Sequence, residues 1–157
     1  MTYISQRLRE LGHEPAQVGS PVATYVSTRR AGQLLFISGQ ISRGSDGVLQ
    51  GCLGADISVE EGRKASEVAA LNLLAQVEAA LVGQDEVVLQ VVRLGVFVAA
   101  TPKFTEHSKV ANGASDLLVA VLGEAGEHAR TAVGVASLPS GAAVELDAIV
   151  LVGRRNG

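Results

Sequence analysis

The chain of 157 residues has no tryptophan, one cysteine, one methionine and four prolines, and aromatic residues make up 3% of it. Each scarcity excludes something. Two tyrosines and three phenylalanines give no stacking platform for nucleobases. The single cysteine, Cys52, cannot close an internal disulfide, which suits a reducing compartment. It lies between Gly51 and Leu53 in a loop with no basic sequence neighbour to activate it, so it reads as an incidental thiol. Positive charge is also short. Thirteen basic residues face sixteen acidic ones, and no basic cluster exceeds the pairs Arg29-Arg30, Arg63-Lys64 and Arg154-Arg155. Nucleic acid is therefore not an expected partner.

No apolar run approaches the roughly 20 residues of a membrane span. The opening residues Met1 to Arg7 lack the apolar stretch of a signal peptide. The expectation is a soluble, cytoplasmic protein without membrane contact. His107 and His128 share no ligand spacing with each other or with Cys52, so no metal is expected. Gly44–Gly47 is not followed by the Lys-Ser/Thr and helix of a phosphate loop.

What is present is a 47% hydrophobic chain long enough for one domain with a good core. No repeat, low-complexity tract or linker divides it. Residues 1–20, with Gly12, Pro15 and Gly19, read as an N-terminal arm carrying a short helix at Ile4–Leu11. Val22–Thr28 and Gln33–Ser38 read as strands around an Arg29–Gly32 turn. Ser58 and Glu61 have capping-box spacing, which predicts a helix to about Leu81 stopped by Gly83. Asn72 on that helix reads as a surface or sheet-packing residue. Val87–Val98, rich in Val and Leu, predicts a buried central strand. Thr101-Pro102 opens a second helix, running to about Val121 and ending at Gly123. His107 on it reads as solvated.

The segment Ala129 to Val150 carries the chemistry. It reads as two strands joined by a Pro/Gly turn, with Arg130 heading the first and Glu145 in the second. As a hairpin it brings both to one sheet edge. Arginine grips carboxylates through two parallel hydrogen bonds, and a glutamate moves protons or positions water. Glu145 alternates with Val144 and Leu146 and shares its side with Asp147. Taken alone, Arg130 and Glu145 also fit structural ion pairs, and Tyr25 and Ser38 fit packing roles. His128 reads as a loop histidine near Arg130. The whole order is β-β-α-β-α-β-β: an α+β fold, a mixed sheet with two helices on one face. The other face, with Val133, Val135, Val144 and Leu146, is expected to be buried between subunits.

These motifs resemble the Rid family (RidA, YjgF, "endoribonuclease L-PSP"). Arg130 is followed nine residues later by Pro139 of Leu138-Pro139, and then by Val144-Glu145. Ile37-Ser38-Gly39-Gln40 matches the family's Ser-Gly-Gln strand end, and Tyr25 lies thirteen positions before Ser38. Asn112 matches the asparagine of the second helix. The resemblance covers nearly the whole chain from about Val22. It implies a single chorismate-mutase-like domain over residues 1–157, a homotrimer, and small-carboxylate clefts between subunits. It also implies hydrolysis of 2-imino acids, formed from reactive enamines, to 2-keto acids and ammonia without metal or organic cofactor. In such a site Arg130 holds the carboxylate and Glu145 activates or orients water. Tyr25, Ser38, Gly39 and Asn112 line the cleft, and the backbone of Ala132 contacts ligand.

The chain departs from the family where Ala132 stands in place of a cysteine that active members often carry. Its N-terminal arm and the Gly123–His128 connection are also longer, as in a divergent branch. The alternative is a non-catalytic 2-keto acid binder or regulatory trimer. Retention of Glu145 favours the enzyme, and the absent thiol favours the binder. A nuclease reading comes only from the historical family name, and the acidic charge balance opposes it.

Overall fold

The computed structural model describes residues 2–18 and 24–154. A five-stranded mixed sheet forms the centre, in the order β1-β2-β7-β5-β6. Its strands are β1 (Thr28–Ala31), β2 (Leu34–Ile41), β5 (Val87–Ala99), β6 (Ala129–Val135) and β7 (Val144–Gly153). A small separate hairpin, β3 (Arg43–Gly44) and β4 (Gly47–Val48), follows β2. Three helices lie on one side: α1 (Tyr3–Glu10), α2 (Val59–Leu81) and α3 (His107–Leu122).

Local chemistry sets most of these boundaries. The Ser58 hydroxyl accepts from the Glu61 N–H, and the Glu61 carboxylate accepts from the Ser58 N–H, so α2 starts where the capping box predicts. Its core side is mostly small, with Ala65, Ala69 and Ala70 buried beside Leu73, Leu74 and Val77. Small residues let α2 lie close on the sheet, against β2 and β7. Asn72 donates from Nδ2 to the carbonyls of Ile41 and Arg43, at 3.0 and 2.9 Å, and so fixes the bend after β2. α1 is no loose arm. Ile4 and Leu8 are buried in the core, and the Ser5 hydroxyl donates to Glu78 of α2 at 2.6 Å.

Three expectations are corrected. Arg29 and Arg30 lie within β1, and the turn is Gly32-Gln33, because Ala31 pairs with Leu34. Residues 24–27 are not strand, and Val22 falls outside the described residues. α3 begins at His107 and not at Thr101-Pro102, which form a turn. The Thr101 N–H is committed to the Leu53 carbonyl, in a bridge that ties the Cys52–Leu53 loop to the end of β5.

The third correction matters most. β6 and β7 do not form a hairpin. β5 lies between them, parallel to β6 and antiparallel to β7. β7 takes the centre of the sheet, and the long apolar β5, expected there, stands one place along, between β7 and the edge strand β6. Alternation along β7 then puts Val144, Leu146, Ala148 and Val150 on the helix side, all buried. Val144 and Leu146 are therefore core residues and do not belong to the uncovered face. That face carries Phe36, Phe97, Val133, Ile149, Glu145 and Asp147, by the pairings Phe36 to Ile149, Phe97 to Glu145 and Phe97 to Val133. Among the described residues no helix is long and apolar enough to cross a membrane.

Candidate functional site

Arg130 and Glu145 are positioned by different strands on opposite faces of the sheet. Arg130 pairs with Leu94, which is buried beneath the helices, so it points to the helix side at the β6 edge. There its Nη1 donates to Asn112 Oδ1 and to Ser115 Oγ of α3, both at 2.9 Å. Asn112 and Ser115 are three residues apart and so neighbour each other on α3. Ser115 Oγ lies 2.9 Å from His128 Nε2, and His128 Nδ1 lies 2.6 Å from the Gly126 carbonyl oxygen. A carbonyl only accepts, so in the neutral ring Nδ1 carries the proton and Nε2 accepts from Ser115. The chain of donors runs from Arg130 to Ser115 to His128 to the Gly126 carbonyl. It fixes the guanidinium through one nitrogen. Among the described residues Nε and Nη2 of Arg130 have no hydrogen-bond partner. They form the edge that a carboxylate grips bidentately.

Glu145 occupies the uncovered face. Its carboxyl lies directly over Gly39, where a β-carbon would stand 1.9 Å from Oε1. Gly39 sits in a β-bulge: β2 advances from Ile37 to Gln40 while β7 advances from Ala148 to Leu146. Asp147 lies the same way over Gly95, 2.1 Å from a β-carbon there, and pairs with Arg93 at 3.4 Å. Two glycines thus make room for two carboxylates side by side. Burial pushes the Glu145 carboxyl above its ordinary pKa, and the charge of Asp147 pushes it further. No hydrogen bond to the Glu145 carboxylate forms among the described residues.

The other expected site residues divide between these two places. Asn112 joins Arg130. Ala132 stands two residues along β6 on the same side, and its methyl packs on the core. Gly39 joins Glu145. Ser38, next to it, donates its hydroxyl to the Val26 carbonyl at 2.7 Å, and its N–H goes to the Ser27 carbonyl. Tyr25, in that same segment, is exposed. The fold brings together Arg130 with Asn112, and Glu145 with Gly39, but holds the two groups on opposite faces of the sheet. Sequence reasoning missed Ser115, Gly95 and the orienting role of His128. The signal for Ser115 was its spacing from Asn112 on a largely apolar helix. Among the described residues no group of three or more His, Cys, Asp or Glu side chains is placed to hold a metal ion.

Residues 5–150 match the family model described as "YjgF/chorismate_mutase-like, putative endoribonuclease". Protein TCP17 of Trypanosoma cruzi is 47% identical over 149 residues, covering 94% of this chain and 92% of that protein. A crystal structure from Agrobacterium tumefaciens is 45% identical with a TM-score of 0.85, over 96% of this chain and 94% of its own. One from Shewanella oneidensis, which carries the same endoribonuclease designation, is 32% identical with a TM-score of 0.88, over 94% and 98%.

Proposed function

The chain belongs to the YjgF/chorismate-mutase-like family, and from that premise we propose that it hydrolyses 2-imino acids to 2-keto acids and ammonia. The site is a cleft between copies of the chain. The observation that carries this reading is the guanidinium of Arg130, held through Nη1 alone with its outer edge turned to no other residue described. An arginine serving only the fold would spend that edge on a carboxylate of its own chain.

Because Arg130 and Glu145 lie on opposite faces, one site draws Arg130 from one subunit and Glu145 from the next. Such a contact joins unlike surfaces, and a contact of that kind closes into a ring where its rotation returns to the start. A ring of three subunits is the form that the resemblance to the Rid family supports. The apolar residues of the uncovered face, Phe36, Phe97, Val133 and Ile149, supply the buried area.

The chemistry asks little of the protein. A protonated imine is already electrophilic, so positioning its acid end and one water provides most of the rate. Arg130 holds the carboxylate. Glu145 takes a proton from water as the oxygen bonds to the imine carbon, and the C=N electron pair moves to nitrogen. The proton on Glu145 then passes to that nitrogen. The C–N bond breaks with its electron pair leaving on nitrogen as the new hydroxyl gives its proton to the Glu145 carboxylate, which forms the ketone; that proton then passes to the departing ammonia as ammonium. A carboxyl with a raised pKa suits these transfers.

A second reading, a trimer that binds 2-keto acids without turnover, is favoured by one feature: Ala132 offers no thiol. The deciding experiment is hydrolysis of 2-iminopropanoate and 2-iminobutanoate, generated in the assay, with Arg130→Ala as control. Turnover above the spontaneous rate that Arg130→Ala abolishes supports the enzyme. Arg130-dependent binding of 2-keto acids without turnover leaves the binder.

A further inference from the structure

Beside the carboxylate anchor stand three groups that imine hydrolysis does not use. Ser115 Oγ lies 2.9 Å from His128 Nε2, and His128 Nδ1 lies 2.6 Å from the Gly126 carbonyl oxygen. A hydroxyl, a base within hydrogen-bond reach of it and a third group that orients the base are the parts of an activated nucleophile. Arg130 Nη1 donates to Ser115 Oγ, so the hydroxyl's own proton is left for the bare Nε2 of His128. One Oγ lone pair takes the Arg130 bond and the other is free to attack. The orienting carbonyl is itself held in place. A β-carbon on Gly126 would collide with the Leu118 carbonyl oxygen, so glycine lets that turn lie directly on α3. Ser115 and His128 are both partly exposed, and a substrate can reach them.

Asn112 accepts from Arg130 through Oδ1, and its Nδ2 donates to nothing among the described residues. That amide is the donor available to the negative oxygen that forms when Oγ attacks a carbonyl. The anchor sets which carbonyl can be reached. A carboxylate gripped by Nε and Nη2 lies across the guanidinium from Nη1, its carbon about 7 Å from Ser115 Oγ by ordinary bond and hydrogen-bond lengths. Attack needs the acyl carbon about 3–3.5 Å from Oγ. That leaves at least about 4 Å between the two carbons, which an extended four- or five-carbon dicarboxylic acid spans. The keto carbon of a 2-keto acid, about 1.5 Å from its carboxyl carbon, stays out of reach.

We propose that Ser115 is the nucleophile and His128 the general base of a second activity, hydrolysis of monoesters of short dicarboxylic acids. The substrate class rests on Arg130 as carboxylate anchor but not on imine hydrolysis. Ser115 Oγ bonds to the acyl carbon as its proton passes to His128 Nε2, and the C=O electron pair moves to oxygen. That pair returns, the ester C–O bond breaks, and the alcohol leaves with the proton from His128. Water then adds to the acyl-serine and gives its proton to His128. The Oγ–acyl bond breaks, Oγ takes that proton back, and the dicarboxylic acid is released.

A neutral alkyl fluorophosphonate, which phosphonylates activated serines with loss of fluoride, tests the nucleophile by intact mass and peptide mapping. Wild type gains one phosphonyl group per chain, on Ser115, and Ser115→Ala and His128→Ala gain none. The p-nitrophenyl monoester of glutaric acid, set against p-nitrophenyl butyrate, tests the substrate class. Wild type shows kcat/KM at least about tenfold higher for the acidic ester, which charged hydrogen bonds hold, and Arg130→Ala loses that preference. A wild type that takes no label on Ser115, or a Ser115→Ala variant that cleaves the acidic ester at the wild-type rate, overturns the nucleophile. Equal kcat/KM of wild type for the two esters overturns the dicarboxylic substrate. Unchanged pyruvate affinity in Arg130→Ala removes the anchor and the substrate class with it, whereas labelling of Ser115 by the neutral probe still supports the nucleophile. Loss of imine hydrolysis with these results intact counts only against the deaminase reading.

Discussion

The carboxyl of Glu145 and the α-carbon of Gly39 are in such close approach that glycine is the only residue that leaves the carboxyl where it is. A β-carbon on Gly39 would lie 1.9 Å from Oε1 and 2.9 Å from the carboxyl carbon. Gly39→Ala is therefore expected to move Glu145 without removing it. Imine hydrolysis should fall at least about tenfold, as for a misplaced general base. Keto acid binding through Arg130 should change less than threefold, because the guanidinium lies on the other face. Equal activity in Gly39→Ala and wild type would separate Glu145 from the chemistry.

Glu145→Gln keeps the shape but accepts no proton at neutral pH. Turnover is expected to fall roughly 10²–10⁴-fold with little change in binding. Steady-state kinetics together with calorimetry on the same variant check the split.

The pH dependence has a definite sign. The Glu145 pKa is raised in the folded state, first by burial and then by Asp147. Between the ordinary carboxylate pKa and the raised one, the folded protein holds more protons than the unfolded chain. Stability from this group therefore falls as pH rises through that window. Glu145→Gln should remove that slope and melt higher than wild type at neutral pH. Activity needs the base form, so kcat/KM should fall on acidification with a midpoint above the ordinary glutamate range. Asp147→Asn removes one of the two causes and should move that midpoint to lower pH.

Arg130→Lys keeps the charge and loses the planar fork. Carboxylate affinity should weaken by about 1–3 kcal/mol, and Arg130→Ala should lose at least as much. Ser115→Ala deletes one of the two acceptors on Nη1, and a loss of about 1 kcal/mol in affinity is expected. His128→Ala should produce a smaller loss, since Ser115 still accepts from Arg130. The ordering, read by calorimetry with pyruvate, is the check.

Light scattering should return three times the chain mass at micromolar concentration. Val133→Asp places a charge on the uncovered face, where Val133 is 40% exposed in the single chain. It should yield monomers that have lost imine hydrolysis but retain their helix content by circular dichroism.

Features written in local chemistry were legible in the sequence. The capping box of Ser58 and Glu61 placed α2, and β5 declared itself by its Val and Leu content. The two-residue alternation of β7 put Glu145 and Asp147 on one side. What the sequence hid was pairing between distant segments. Arg130 and Glu145 look like partners across a turn, yet β5, made some forty residues earlier, separates them. A turn signal such as Leu138-Pro139 says that the chain bends but not which strand it meets next. Thr101-Pro102 misled for a related reason. Proline suits a helix start, but Leu53 had already claimed the Thr101 backbone. Ser115 and His128 meet because α3 packs beside the start of β6, which local sequence does not announce.

The strand that joins β2 to β5 is β7, the last element in chain order. On the ribosome the earlier strands thus wait as two unconnected pairs in prospect, β1 with β2 and β5 with its coming neighbour. The helices have no closed surface to rest on until β7 is released. Nascent chains arrested before residue 144 should therefore be protease-sensitive throughout, and protection should appear in a single step once β7 clears the exit tunnel.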